Sequence, residues 1–343
     1  IFVGTFNNGF QRQDFNAALP ALAVEALRHV PSTRVENACA TGSAAIHAGI
    51  NAIRARAARN VLVVGVEKMT DTSTERVGDI LLGASYRREE GDIKGGFAGV
   101  FATLAQAYFQ LHGDKSASLA RIAAKNHANG LANPYAHMRK DFSFEFCNTV
   151  SDKNPYVAPP LRRTDCSLIS DGAAALILCD LPDALASKRA ITFRAARQVN
   201  DFLPLSRRTK TRLPGAALAW SRALDDAKLT LEDLSLVETH DCFTLAELLE
   251  YEAMGLAPEG QGHRAIDEGW TSKSGKLPVN PSGGLKSKGH PIGATGVSQH
   301  VMAAMQLTGE AGGMQIPNAK LAGVFNMGGA AVANYVSILE RLR

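Results

Sequence analysis

The stretch Val61-Leu62-Val63-Val64-Gly65-Val66-Glu67 constrains the fold more than any other part of the chain. It is a nearly unbroken apolar run, rich in β-branched residues and too short for a typical buried helix. Such a run predicts a strand covered on both faces, as in a parallel sheet sandwiched between helices. What precedes it agrees. Ala44, Ala45, Ala48, Gly49, Ala52 and Ile53 suit a closely packed helix, and Arg54, Arg56 and Arg59 fall near its end, where cations complement the helix dipole. Further upstream, Ile1-Phe2-Val3-Gly4 reads as a strand, Phe15 to His29 as an amphipathic helix that Pro31 ends, and Val35 to Ser43 as a turn into the next helix. The succession of strand and helix is an α/β pattern.

From about residue 69 to 166 that rhythm stops. Gly95-Gly96, Asn133-Pro134 and Pro159-Pro160 punctuate a mixed stretch that reads as an insertion. Gly172 to Cys179 resumes a buried strand, and Leu181 to Arg189 reads as a polar linker. The α/β rhythm then returns, with helices around Trp220–Lys228, Leu245–Met254 and Ala294–Leu307 and strands at Leu234–Glu238, Ala319–Phe325 and Ala331–Leu339. The expected organisation is two similar halves, residues 1–183 carrying the insertion and residues 190–343. Because Ile1 opens in a strand already under way, a further segment is expected before it.

Composition excludes several classes. The chain has 343 residues, 45% hydrophobic and 20% charged, which excludes disorder and fibrous folds. It has no run of 18 apolar residues, so a membrane span is not expected, and no leader pattern opens it. A formal charge of +4 is spread along the chain, with only short clusters such as Arg207-Arg208-Thr209-Lys210, so a nucleic-acid partner is not expected. The five cysteines are odd in number and contain no Cys-x-x-Cys pair. Neither a disulfide framework nor a structural zinc site fits, and a reducing, cytoplasmic setting does.

Three segments carry chemistry. Cys39 lies among Ala, Thr, Gly and Ser where a strand gives way to a helix, and free N–H groups at a helix start favour thiolate over thiol. The loop Asn280-Pro281-Ser282-Gly283-Gly284-Leu285-Lys286-Ser287-Lys288-Gly289-His290-Pro291 ends in a histidine between glycine and proline. It lacks the Lys-Ser/Thr of a phosphate-binding loop and the Gly-x-Gly-x-x-Gly of a dinucleotide site. Glu238-Thr239-His240-Asp241-Cys242-Phe243 follows a strand and opens a helix, the place where open α/β sheets put their sites. His240 and Cys242 have no matching second pair for a metal, and Asp241 has the position of a helix N-cap.

Asn37-Ala38-Cys39-Ala40-Thr41-Gly42, His240-Asp241-Cys242-Phe243, Gly289-His290-Pro291 and Asn326-Met327-Gly328-Gly329 together resemble the thiolase superfamily, and in particular its sterol-carrier-protein-2 type. Lys125-Asn126-His127, Asn133-Pro134-Tyr135, Ser170-Asp171-Gly172 and Tyr251-Glu252-Ala253-Met254-Gly255 agree, so the resemblance covers nearly the whole chain. It implies a five-layer αβαβα fold of two similar halves, with the insertion as a loop domain over the site, a first strand and helix before Ile1, and a homodimer or dimer of dimers. It implies reversible thiolysis of a 3-ketoacyl-CoA through an acyl-cysteine, with CoA and acyl-CoA as substrates and no metal or redox cofactor. Cys39 is then the nucleophile and His290 its base. The substrate thioester oxygen falls to His290 and His240, and the acyl-enzyme oxygen to the backbone N–H groups of Cys39 and Gly328.

Two departures separate this chain from ordinary thiolases. His240-Asp241-Cys242-Phe243 stands where those have Asn-Glu-Ala-Phe, and Asn326-Met327-Gly328 where those have Cys-x-Gly. An amide cannot accept a proton, so the second acid/base falls to Cys242, whose thiol needs only a modest shift from about 8.5. CoA is expected against the insertion, with Arg87, Arg88, Lys94, Lys125 and His127 as candidate contacts, and Ser282 and Gly283 as further ones. Two alternatives stand beside this reading: a catalytically silent acyl-CoA or lipid binder, and a thiolase-fold retro-aldol lyase with a small OB-fold partner chain.

Overall fold

The computed structural model describes residues 1–342. Strand β1 (Phe2–Gly4) is followed by a short helix α1 (Pro20–Ala23) and β2 (Thr33–Val35). Helix α2 (Thr41–Arg54) then leads into β3 (Asn60–Glu67). The chain next leaves the sheet for α3 (Thr74–Leu81), α4 (Arg87–Glu90), α5 (Gly96–His112), α6 (Ser116–Gly130), α7 (Phe144–Asn148) and a hairpin of β4 (Tyr156–Ala158) with β5 (Leu161–Arg162). It returns as β6 (Gly172–Cys179), antiparallel to β3, and completes a sheet of order β2-β1-β3-β6. The excursion from β3 to β6 is the insertion read from the sequence.

Helix α8 (Leu181–Ala186) leads to β7 (Ile191–Asn200), α9 (Pro214–Ala227), β8 (Leu236–Glu238), α10 (Thr244–Ala253), α11 (Gly262–Asp267), α12 (Gly284–Lys288), α13 (Ile292–Thr308), β9 (Leu321–Gly328) and β10 (Ala333–Arg341). These strands form a second sheet, β7-β10-β9-β8. In both sheets a helix precedes a strand that pairs antiparallel with its successor: α2, β3 and β6 in one, α13, β9 and β10 in the other.

Helix α13 lies between the sheets, touching α2, β3 and β6 on one side and β9 and β10 on the other. The small residues anticipated in α2 allow this. A Cβ on Gly42 would stand 2.6 Å from the Val297 nitrogen, so the helix backbones approach as closely as a glycine permits. Helix α9 covers the far face of the second sheet, where buried Trp220 stacks on Phe325 at 6.3 Å.

Four sequence expectations change. Phe15 to His29 is not one helix: α1 has four residues flanked by short 3-10 turns, and Phe15 and Leu22 are each 84% exposed, so their apolar stripe has nothing to pack on. The linker Leu181–Arg189 contains α8, capped by the Asp180 carboxylate, which accepts from the Asp183 N–H. Strand β7 went unread because Arg194, Arg197 and Gln198 break its apolar pattern; the two arginines pair with Glu340 and Asp226. Finally, β3 and β6 are buried on one face only. Leu62, Val64 and Val66 are half-buried opposite exposed Ile177, Ala175 and Ala173, because no helix covers that face among the described residues. Four layers of the expected five are therefore described.

Candidate active site

Cys39 sits at the corner between β2 and α2. Thr41 closes the corner: its hydroxyl accepts from the Asn37 N–H at 2.8 Å and donates to the Ala38 carbonyl at 2.6 Å, while Ala38 takes a left-handed φ of 48°. The sulfur is buried against the backbone N–H groups of Gly329 and of Cys39 itself. The sequence suggested that the helix start would favour thiolate. Burial overrides it and, with the Glu67 and Glu36 carboxylates, pushes the thiol up to about 12. At rest Cys39 is a thiol.

His290 is held by the rigid turn that its neighbours predicted, with Gly289 at φ 107°. Its N–H donates to the Ser170 hydroxyl at 2.8 Å, and its Nδ1 lies 2.7 Å from the Thr295 hydroxyl, one turn into α13. Burial and the nearby Lys288 ammonium hold its pKa down at about 3, so the ring is neutral. His240 ends the strand region of β8. Its N–H donates to Glu250 at 3.1 Å, and Asn280 Oδ1 accepts the preceding Thr239 N–H at 2.8 Å. Burial, His290 and Lys288 push its pKa well below the usual imidazole value. The Cys39 sulfur and one nitrogen from each ring lie within 4.8 Å of one another, and the rings meet at 84° with centroids 5.0 Å apart. Residues from three distant segments thus converge on one point, as the sequence reading required.

Asp241 does not cap α10, the role its position suggested. It accepts from the Leu285 N–H at 2.6 Å, the Lys286 N–H at 3.2 Å and Asn126 Nδ2 at 2.8 Å, and so caps α12 and pins the histidine loop to the end of β8. The fit demands glycine at position 284, where a Cβ would lie 2.4 Å from the carboxylate. Behind this staple, Glu247 accepts from Lys125 at 2.5 Å, Asn126 at 2.6 Å and Asn280 at 3.1 Å, all in the interior. Cys242 is buried near Cys39, and burial with that neighbour pushes its thiol well above the ordinary range, the opposite of the modest shift expected from sequence. Phe243 stacks on Phe101 of α5 at 4.3 Å and ties the insertion to the site.

Of the expected CoA contacts, Lys125, His127, Ser282 and Gly283 face inward, whereas Arg87, Arg88 and Lys94 are exposed. His127 is buried edge-on against Phe142, 4.7 Å away. Lys125 is spent on Glu247, and Arg87 pairs with Asp79 at 2.7 Å. The Ser282 hydroxyl and N–H both donate to Glu238, at 2.6 and 3.1 Å, and Gly283, at φ 92°, packs on Gly130. Sequence reasoning passed over Arg208. It donates to the Ala330 carbonyl at 2.6 Å, its Nε is buried without a partner, and with Thr209 and Arg212 it lines a cleft reaching Ala330 and Ala331, just beyond Gly328-Gly329. The signal was the cluster Arg207 to Lys210, which had no apparent partner until the fold placed it there.

Comparisons with known proteins identify the family. Residues 1–147 match the thiolase N-terminal domain and residues 198–341 the thiolase C-terminal domain-like family. An acetyl-CoA acetyltransferase of Methanothermobacter thermautotrophicus is 37% identical over 99% of this chain and 88% of its own length. Sterol carrier protein 2 of Oryctolagus cuniculus is 35% identical over 89% of this chain, which spans only 58% of that protein. Among solved structures, the Ltp2-ChsH2(DUF35) aldolase superimposes over 100% of this chain and 87% of its own with a TM-score of 0.79 at 18% identity, a likeness of fold. With both halves matched and a relative 37% identical over nearly the whole chain, the chain belongs to the thiolase family.

Proposed function

We propose that this thiolase-family protein is an acyl-CoA acyltransferase that cleaves or forms 3-ketoacyl-CoA through an acyl group on Cys39. The observation that carries the reading is the cluster of Cys39, His240 and His290 within 4.8 Å. In the cleavage direction His290 takes the Cys39 proton as the sulfur attacks the 3-keto carbon. The resulting oxyanion lies toward the backbone N–H groups of Cys39 and Gly329, which already face the sulfur; the sequence points to Gly328, one residue earlier. The bond between C2 and C3 breaks, leaving the shortened acyl group on sulfur and an acyl-CoA enolate. The enolate oxygen is held by His240 and the now protonated His290, and C2 takes a proton from Cys242. After that acyl-CoA leaves, the thiol of CoA gives its own proton to Cys242 and attacks the thioester, and Cys39 departs as thiolate and takes its proton back from His290.

The high pKa of the Cys39 thiol and the low pKa of His290 suit this order. Both keep the resting pair neutral, so a thiolate forms only as substrate brings an electrophile and hydrogen-bond acceptors into the pocket. CoA enters beside the cleft of Arg208, Thr209 and Arg212, where cations can meet its phosphates, with Lys94 and Arg88 of the insertion on the surface as further contacts. Homodimer assembly belongs to the same proposal. A silent binder or a lyase has no use for a cysteine placed against a base. Cys39→Ala removes one atom from a well-packed corner; thiolysis of acetoacetyl-CoA should fall by several orders of magnitude while the circular dichroism and melting curve stay those of the wild type. Substantial turnover in that variant would overturn the reading.

A further inference from the structure

The two departures that set this chain apart from ordinary thiolases, His240 and Asn326, touch each other. Asn326 is fully buried in β9, and its Nδ2 lies 2.9 Å from His240 Nδ1 and donates to the Cys39 carbonyl at 3.0 Å. The second contact fixes the amide, since rotating it would set its oxygen against that carbonyl. An amide nitrogen only donates, so His240 Nδ1 must accept and the ring proton must sit on Nε2. That Nε2 is buried and has no partner.

His290 is set the other way. The Thr295 hydroxyl donates to the Pro291 carbonyl at 3.1 Å, so it accepts from His290 Nδ1, 2.7 Å away, and the free lone pair is on Nε2. One ring therefore offers an N–H to the pocket and the other a lone pair. The distinction matters because a sulfur and two imidazole nitrogens within 4.8 Å are close to a three-ligand metal site. Zinc at bond lengths of about 2.0–2.3 Å would need the three atoms drawn in to about 3.3–3.8 Å of one another, and a lone pair on both rings.

We propose that Asn326 is a positioning residue that holds His240 as the Nε2–H tautomer, making it a donor to substrate oxygen and denying the Cys39–His240–His290 cluster a third metal ligand. The donor role rests on the acyltransferase reading; the tautomer and the metal behaviour do not.

The test is nitrogen-15 NMR of histidine-labelled protein at neutral pH. In the wild type the unprotonated ring nitrogen should be Nδ1 for His240 and Nε2 for His290. An unprotonated Nε2 on His240 would overturn the proposal without any variant. Asn326→Asp keeps the shape and, assayed at a pH where the new carboxylate is ionised, can only accept, so His240 should invert while His290 keeps its pattern. The inverted ring gains a carboxylate partner of the kind that strengthens metal-bound imidazole, and zinc affinity measured with Zn²⁺ alone should rise about 10–100-fold over wild type, with loss of the gain in Asn326→Asp/Cys39→Ala. In turnover Asn326→Asp should lower kcat about 100-fold or more, the cost of one oxyanion donor, with KM little changed. An Asn326→Asp protein that folds, keeps the wild-type tautomer and binds zinc no better contradicts the proposal. If no acyltransferase activity exists, the spectra and zinc titration still decide it.

Discussion

Gly296→Ala tests the link between packing and chemistry. Gly296 lies in the first turns of α13, where that helix crosses α2. A Cβ built there would stand 2.3 Å from Asn326 Oδ1, 2.4 Å from the Ser43 nitrogen and 2.7 Å from the Ser43 hydroxyl. Only the hydroxyl can turn away cheaply. The nitrogen belongs to α2, and the amide oxygen belongs to the side chain that orients His240 and braces Cys39. To accept one methyl, α13 must move away from α2 or Asn326 must give up its position. Overpacking of this kind costs about 1–3 kcal/mol, and contact with rigid backbone puts this case at the upper end. At about 2–4 °C per kcal/mol for chains of 150–250 residues, the melting temperature should fall by several degrees. Differential scanning calorimetry reads that shift, and steady-state thiolysis should show a kcat loss beyond it. Gly78→Ala is the control: it lies in α3 with nothing within 4 Å of its Cβ, and the helix should gain up to about 1 kcal/mol. A Gly296→Ala protein with wild-type melting and turnover would refute the packing argument.

Two further outcomes follow from the buried titratable groups. Burial raises the Glu67 carboxyl to about 7, although the Phe6 and Gly293 N–H groups donate to it. A folded pKa above the unfolded value means the native state holds the proton more tightly. This contribution, about 3 kcal/mol for a shift of this size, is complete below pH 4.5 and disappears as pH rises to about 7. Glu67→Gln stays neutral throughout, so urea midpoints compared from pH 4.5 to 7 should fall more steeply in the wild type than in the variant, and parallel curves would contradict this. For Cys242→Ser, loading of Cys39 by a small acyl-CoA should survive while transfer to CoA and proton exchange at C2 fail; a wild-type rate across pH would contradict the proton-transfer role of Cys242.

Much of the site was legible because the chemistry needs particular residue types on particular kinds of turn. Cys39 at a strand-to-helix corner and His290 between glycine and proline could be picked out before any fold was known, and the β3 run and the small residues of α2 pointed to stacked layers. What escaped reading depended on partners distant in sequence. The pKa of Cys39 is governed by burial, which outweighs the local helix start. Asp241 has the position of a cap for α10, but tertiary contact turns it onto α12. Lys125, His127 and Ser282 looked like polar residues free to meet a nucleotide, but Lys125 and Ser282 are taken up by buried carboxylates and His127 packs edge-on against Phe142. Strand β7 hides behind its arginines because their ion pairs lie on other elements. Asn326 could be seen only as a missing cysteine; its contact with His240 spans 86 residues of sequence.

The most direct measurement of the central claim is intact-protein and peptide mass spectrometry after brief incubation with acetyl-CoA and acid quench. One added acetyl group is expected, located on Cys39, removed by CoA and missing in Cys39→Ala. An unmodified protein, or an acetyl group on any other residue that persists in Cys39→Ala, would contradict it.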